Sequence, residues 1–459
     1  MFVASPITHI NATMSAEDCM EHGVQYVANA KSIASDADKT SGTTTKRLIK
    51  MMATGLLVVA AVLAAVASRS ASMTSPSDTT ASSFSSSSSS TRQLQGKGLM
   101  VGAYYYPWHG NNFHNGDGFV RQDLEPPQLP ELGKYDDTKP EVIEQHLAWS
   151  RQANVGLWVT SWWGPGTRED RTTRDVILEH SQIGDMKIAL HYETTGRVRQ
   201  DEEFDTKRVA SDVNYMCGTY FGHDNYYRIN GRPVMFVYLS RYLSTLGKIE
   251  EVVSVMRTAA NKCGESLYIV GDHSFRLAPA SGKMFDSFQY LDAVTNYDVY
   301  GAMGAPTTHA GPIPVDEYYD EQALWRERAA AHGCAYVSAA APGYNDRGVR
   351  LDADHIALSR RLTETDVEGS LFEYALGRAR DVVDEAADNL LMINSFNEWH
   401  EDTQIEPVAV TESETSEPAH LTNGVSYGGY GELYLDILRN STYGHVPPPF
   451  TSSRAYQWS

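Results

Sequence analysis

From residue 99 onward, eight short apolar, β-branched or aromatic runs alternate with longer helix-like stretches, and this alternation constrains the fold more than any other feature. The runs are Leu99–Tyr106, Val155–Trp162, Lys187–Glu193, Pro233–Tyr238, Leu267–Asp272, Ala293–Tyr297, Ala335–Ala340 and Leu390–Phe396. Pro140-Glu141-Val142-Ile143 opens one helix, with proline suited to a first turn and the acidic residue to the positive end of the helix dipole. Further helices are expected over 204–216, 248–262, 316–332 and 371–388. Strands separated by crossovers predict a parallel sheet, and eight strands close a (β/α)8 TIM barrel. A doubly wound open sheet is the fallback, because runs five to seven are weak. No G-x-G-x-x-G follows an early strand, and no Walker or HExxH motif is present.

The 459 residues exceed one ordinary compact domain but accommodate a large α/β barrel with appendages. Residues 1–47 are polar and without periodicity, and read as a disordered cytosolic tail. Lys46, Arg47 and Lys50 precede the apolar run Met51–Ala67, and Arg69 closes it. Residues 48–68 are therefore expected to be a transmembrane helix, a type II signal anchor with its basic side cytosolic. The alternatives are a cleaved signal ending at Ala65-Val66-Ala67, which would release a secreted protein, or a buried helix. Residues 69–97, with the run Ser85–Ser90, cannot bury enough surface to offset their ordering entropy and read as an extended stem. The barrel is assigned to 98–447 and a tail to 448–459.

Charge and cysteines narrow the partners. Lys+Arg number 38 against Asp+Glu 58, a formal charge of −20, which argues against nucleic acid or an anionic membrane surface as the main partner. Cys19, Cys217, Cys263 and Cys334 show no metal-ligand spacing. The last three allow at most one disulfide within the barrel, Cys217–Cys263 being one possible pair.

A TIM barrel does its chemistry at the C-terminal ends of its strands. Reading those ends yields Tyr104-Tyr105-Tyr106-Pro107-Trp108-His109, Trp162-Trp163-Gly164-Pro165, His191-Tyr192-Glu193, Tyr238, Asn296-Tyr297 and Asn397-Glu398-Trp399-His400-Glu401. Aromatic platforms beside hydrogen-bonding groups suit sugars, which present an apolar C–H face and a polar hydroxyl edge. Glu398 and Glu401 lie three apart just beyond the last run, and on a helical turn they would share a face. Two such carboxylates are what glycoside cleavage needs: one protonates the departing oxygen and the other assists at the anomeric centre. Like charges held close split their proton affinities, which keeps one acid protonated near neutrality. A surface acidic turn and a metal site on Glu398, His400 and Glu401 are the rival readings; Trp399 and Ile405 weaken the first, and the lack of a second ligand cluster weakens the other.

Tyr104–Gly110 (YYYPWHG), Ser161–Pro165 (SWWGP) and above all Ser395–Pro407 (SFNEWHEDTQIEP) resemble glycoside hydrolase family 99, with likeness over about residues 99–445. The resemblance implies a TIM barrel that cleaves internal α-1,2-mannosidic linkages with retention and needs no cofactor or metal. It implies that Glu398 deprotonates the substrate 2-hydroxyl to form a 1,2-anhydro sugar, and that Glu401 is general acid and then base. The implied substrate-binding set is Tyr105, Trp108, His109, Trp162, Trp163, Glu193, Tyr238, Tyr297, Asn397 and His400. Two segments depart from the family's common form: His191–Arg197 and the first loop, Asn111–Leu124. Eukaryotic members imply a Golgi enzyme, luminal and single-pass, that trims glucosylated high-mannose N-glycans. An endo-mannanase on cell-wall or algal polysaccharide and a non-catalytic glycan-binding barrel are the alternatives. A glycosyltransferase is disfavoured because no DxD-type donor-metal motif stands in a βαβ context. Asn440-Ser441-Thr442 is a possible N-glycan acceptor, whereas Asn11-Ala12-Thr13 falls in the expected cytosolic tail.

Overall fold

The computed structural model describes residues 98–200, 203–303, 307–352 and 355–444. The expected tail, anchor and stem, and the segment 448–459, lie outside the described residues. All eight runs form parallel strands: β1 (Met100–Tyr105), β2 (Leu157–Trp162), β3 (Lys187–Tyr192), β4 (Arg232–Val237), β5 (Tyr268–Asp272), β6 (Ala293–Thr295), β7 and β8 (Leu390–Ile393). β7 is two pieces, Ala335–Tyr336 and Ser338–Ala340. The first pairs with β6 and the second with β8, which also pairs with β1, so the interrupted strand completes the ring. The intervening Val337 N–H still donates to Val294 of β6.

β6 is shorter than expected. Past Thr295 the backbone leaves the ladder because Asp272 accepts the Tyr297 N–H at 3.0 Å, while the Thr295 carbonyl accepts from His273 and Ser274. The main crossover helices are α1 (Pro140–Gln152), α2 (Thr206–Thr219), α3 (Ile249–Lys262), α4 (Pro312–Ala330) and α5 (Ser370–Asp381), and α6 (Leu433–Thr442) follows β8. Pro140 sits in the first turn of α1, which turns Ile143, His146, Leu147 and Trp149 inward at helical spacing. Cys217 on α2 is disulfide-bonded to Cys263 at the end of α3, the pair that spacing left open, and Cys334 is free and buried.

Two-residue periodicity divides the strand side chains between barrel lumen and helix layer. Tyr104 meets His191, Phe236 and Tyr297 at centroid distances of 4.9, 6.0 and 4.9 Å, which is possible only inside the ring. Tyr105 faces outward: it stacks on Trp158 at 4.2 Å, and its hydroxyl meets His146 Nδ1 of α1 at 2.9 Å. Trp162 also faces outward, donating to Asp170 at 2.9 Å and stacking on Tyr192. These two residues are not on the pocket wall, contrary to the expectation from the aromatic motifs. The alternation assigns the pocket to their neighbours Tyr106 and Ser161.

Candidate active site

The loop after β8 carries both carboxylates, and its sequence divides into anchors and presented groups. Asn397 is fully buried and clamps Tyr106: its Oδ1 accepts the Tyr106 N–H at 2.8 Å, and its Nδ2 donates to the Tyr106 carbonyl at 3.1 Å. Trp399 is buried against Phe113 and Phe119 and donates to Glu406 at 2.7 Å. Asp402, at φ 55°, accepts from Arg360 at 3.0 Å, Tyr427 at 2.9 Å and Arg121 at 3.2 Å. Ser395 Oγ accepts the Glu398 N–H at 2.8 Å, and the Thr403 N–H donates to the Glu398 carbonyl at 3.3 Å. With these groups spent on the scaffold, Glu398, His400 and Glu401 are left for the lumen. Residues 399–402 form a turn rather than the helical turn expected.

Glu401 lines a cleft with Tyr238, Tyr297, Asp298, Tyr300, Tyr344 and Arg350. Burial and the charge of Glu398 lift its carboxyl to about 7, while Arg350, whose Nη1 stands 3.1 Å away, opposes the rise. Glu398 accepts at one oxygen from the backbone N–H of His400 at 2.8 Å and meets the Nδ1 of the same residue at 3.1 Å. Glu193, just beyond β3, is a third buried acid. Burial lifts it to about 8 with help from Glu398 and Glu401, against the hydrogen bond from Ser161 at 2.7 Å. Ser161 in turn accepts from Trp163 Nε1 at 2.9 Å, which ties that half-buried indole to the acid. Tyr106 and Tyr297 join hydroxyls, and both feel the charges of Glu398 and Glu401.

Of the expected set, Glu398, Glu401, Glu193, Trp163, Tyr238, Tyr297 and His400 thus converge on the barrel mouth. Trp108 stacks on His114 at 4.2 Å and packs on Tyr106, at the edge of that group. His109 is fully buried, with Nε2 at 3.0 Å from the Asn397 carbonyl, so it and Asn397 hold the loop rather than face the cleft. Residues not expected are Tyr106, Ser161, His191 and Arg350. His191 is buried among Tyr104, Tyr238 and Tyr297, and among the described residues neither ring nitrogen has a hydrogen-bond partner. Burial lowers it to about 3, leaving a neutral ring. Tyr106, Ser161 and His191 stood within the quoted motifs and were recoverable from strand alternation. Among the described residues no group of three or more His, Cys, Asp or Glu is arranged to hold a metal ion.

The fold has counterparts among known proteins. A model described as glycosyl hydrolase family 99 matches residues 94–263, and one described as glycosyltransferase WbsX matches residues 192–415. The chain is 27% identical to a glycoprotein endo-alpha-1,2-mannosidase-like protein of Danio rerio, over 62% of this chain and 60% of the relative. It is 23% identical to the glycoprotein endo-alpha-1,2-mannosidase of Rattus norvegicus, over 74% of this chain and 73% of the relative. The solved GH99 endo-alpha-mannosidase of Bacteroides thetaiotaomicron superposes with a TM-score of 0.51 at 21% identity, covering 74% of this chain and 98% of that one. At that identity the likeness is one of fold.

Proposed function

We propose that the chain is a member of glycosyl hydrolase family 99, whose model matches residues 94–263, and that it is an endo-acting retaining α-mannosidase acting at internal α-1,2-linked mannose. The observation that carries the reading is the unequal pair on one loop: Glu401 lifted to about 7, and Glu398 meeting the backbone N–H and the ring Nδ1 of His400 at a single oxygen. One acid is set to give a proton and the other to take one, as glycoside cleavage requires.

In this mechanism the outer oxygen of Glu398 takes the proton of the substrate 2-hydroxyl as that oxygen attacks the anomeric carbon. The glycosidic C–O bond breaks, and the leaving oxygen receives the proton of Glu401. Water, deprotonated by Glu401, then opens the 1,2-anhydro sugar at the anomeric carbon, and the 2-oxygen recovers its proton from Glu398. Two inversions yield retention. Tyr238, Tyr297 and Trp163 supply apolar faces for the rings.

We propose glucosylated high-mannose N-glycan as substrate and residence in the Golgi membrane. The supports are the basic flank Lys46, Arg47 and Lys50 before the apolar run Met51–Ala67, and Asn440, which is exposed on α6 within an acceptor sequon. Product analysis on a glucosylated high-mannose glycan and on an α-1,2-mannan tests the substrate: release of a glucosyl-mannose disaccharide supports the reading, and cleavage of the mannan alone replaces it. Sugar transfer dependent on a nucleotide-sugar donor would favour the transferase suggested by the second family match. Protease protection in intact vesicles tests the topology, and digestion of the barrel would overturn the luminal assignment.

A further inference from the structure

The first loop after β1 carries three consecutive non-glycine residues in the left-handed region, Phe113, His114 and Asn115 at φ 49°, 48° and 57°. Such residues visit that region singly and at a cost of order 1 kcal/mol or more each. The turn delivers the main-chain carbonyl of His114 to His400 Nε2 at 2.7 Å. A carbonyl only accepts, so Nε2 carries a hydrogen. On the other side of the ring, Nδ1 stands 3.1 Å from Glu398 Oε1. That same oxygen already accepts the His400 backbone N–H at 2.8 Å, and with Glu398 as a carboxylate it can only accept from Nδ1 as well, so that Nδ1 also carries a hydrogen.

We propose, building on the hydrolase reading above, that His400 is a positioning residue working as an imidazolium, strapped between the His114 carbonyl and Glu398 so that one Glu398 oxygen is occupied and the other is left free toward the substrate. The anion in direct contact with its ring is Glu398. From the first loop it faces the rings of His109 and His114, at 6.1 and 4.9 Å. Burial, followed by the charge of His400, lowers His114 to about 4 and His109 well below its usual range, so His400 is the charged ring of the three. Trp108 stands edge-on at 6.2 Å. Arg121, on the turn Val120–Asp123, is spent on Asp402 at 3.2 Å and on the Trp399 carbonyl. Over the His400 backbone, Gly118 and Gly348 pack so closely that a Cβ on Gly348 would lie 2.8 Å from the His400 carbonyl. For His400 itself, burial disfavours the charge, but the hydrogen bond and charge of Glu398 outweigh it and raise the ring above its usual value.

Asn and Gln variants separate charge from tether. The amide nitrogen of Asn stands where Nδ1 does and keeps a neutral donor toward Glu398; that of Gln reaches the Nε2 position and keeps the His114 link. Both lose the charge. An opposite charge at this range favours ionisation by about 1–3 pH units. The acid limb of kcat/KM on the α-1,2-mannoside is therefore expected to move up by at least about one unit in both H400N and H400Q, with kcat down about tenfold or more and KM little changed. If His400 is only a strut between loops, H400Q restores the wild-type profile and overturns the proposal. ¹⁵N-histidine NMR of the wild-type chain supplies a readout independent of activity. Both His400 ring nitrogens are expected in the protonated range at pH 6, and a neutral tautomer there refutes the imidazolium even if the mannoside proves not to be the substrate. Absence of turnover with an intact imidazolium signal would instead count against the mannosidase reading alone.

Discussion

Arg350 Nη1 lies between two acids, 3.1 Å from Glu401 and 2.9 Å from Asp346, and so a guanidinium from the loop after β7 sets the proton affinity of a carboxyl on the loop after β8. As general acid, Glu401 works only while protonated, so activity falls as pH rises through about 7. Arg350 opposes the lift that burial and Glu398 produce. Arg350→Met is therefore expected to move the alkaline limb of kcat/KM upward, measured on one substrate across a pH series. A downward move would show that the guanidinium is not the opposing charge.

Glu401→Gln removes the transferable proton with little change of shape. A loss of about 10²–10⁴-fold in kcat/KM is expected on a natural leaving group, the usual range for general acid catalysis. A mannoside with an activated aryl leaving group needs no proton and should recover much of the loss. Equal losses on both substrates would assign the proton to another residue.

Among the acids lifted above their usual range, Glu401 and Asp137 rise to about 7 and Glu193 to about 8, each chiefly by desolvation. Between their ordinary values near 4 and these raised ones, the folded chain holds more protons than the unfolded chain. Stability then falls as pH rises, fully present below about 4 and progressively lost up to about 8 as far as these groups are concerned. A melting temperature lower at pH 8 than at pH 5.5 is expected. Glu193→Gln should flatten part of that slope, and an unchanged slope would mean that Glu193 is ionised in the fold.

How far the site was legible follows from these residues. The barrel was readable because each strand is a short apolar run flanked by helical spacing. The carboxylate pair was readable because two acids closely follow a buried strand. Tyr105 and Trp162 share motifs with pocket residues yet face outward, because a strand sends neighbouring side chains to opposite faces. His109 and Asn397 were misread because a loop that projects two carboxylates must itself be held, and polar residues hold it. Arg350 was out of reach of local pattern: its place depends on Gly348 packing on Gly118 and His400, contacts between three separate loops. The Cys217–Cys263 bond likewise depends on α2 lying beside α3.

The outward assignment of Tyr105 has its own test. Tyr105→Phe loses one buried hydrogen bond to His146, on the order of 1–3 kcal/mol of stability with the partner left unsatisfied. Its KM should match the wild type. Trp163→Ala, which removes a half-buried indole tied through Ser161 to Glu193, should raise KM instead. A raised KM in Tyr105→Phe without loss of stability would return that residue to the pocket.

The 1,2-anhydro route differs from conventional retention in what it asks of the substrate. Glu398 has one oxygen occupied by two N–H groups of His400, so a single oxygen is free to act. If that oxygen works through the 2-hydroxyl, the hydroxyl is a reactant. A 2-deoxy mannoside should then bind with a loss on the order of 1 kcal/mol, one hydrogen bond, yet not turn over. A carboxylate nucleophile would instead tolerate a 2-deoxy-2-fluoro sugar bearing a good leaving group and trap it as an ester. Intact-protein mass spectrometry after incubation with that mannoside separates the routes. No adduct is expected on the wild-type chain, while the matched 2-hydroxy substrate is consumed under the same conditions. A stable glycosyl ester mapped to Glu398 would overturn the anhydro route and make Glu398 a nucleophile, with the hydrolase assignment left intact.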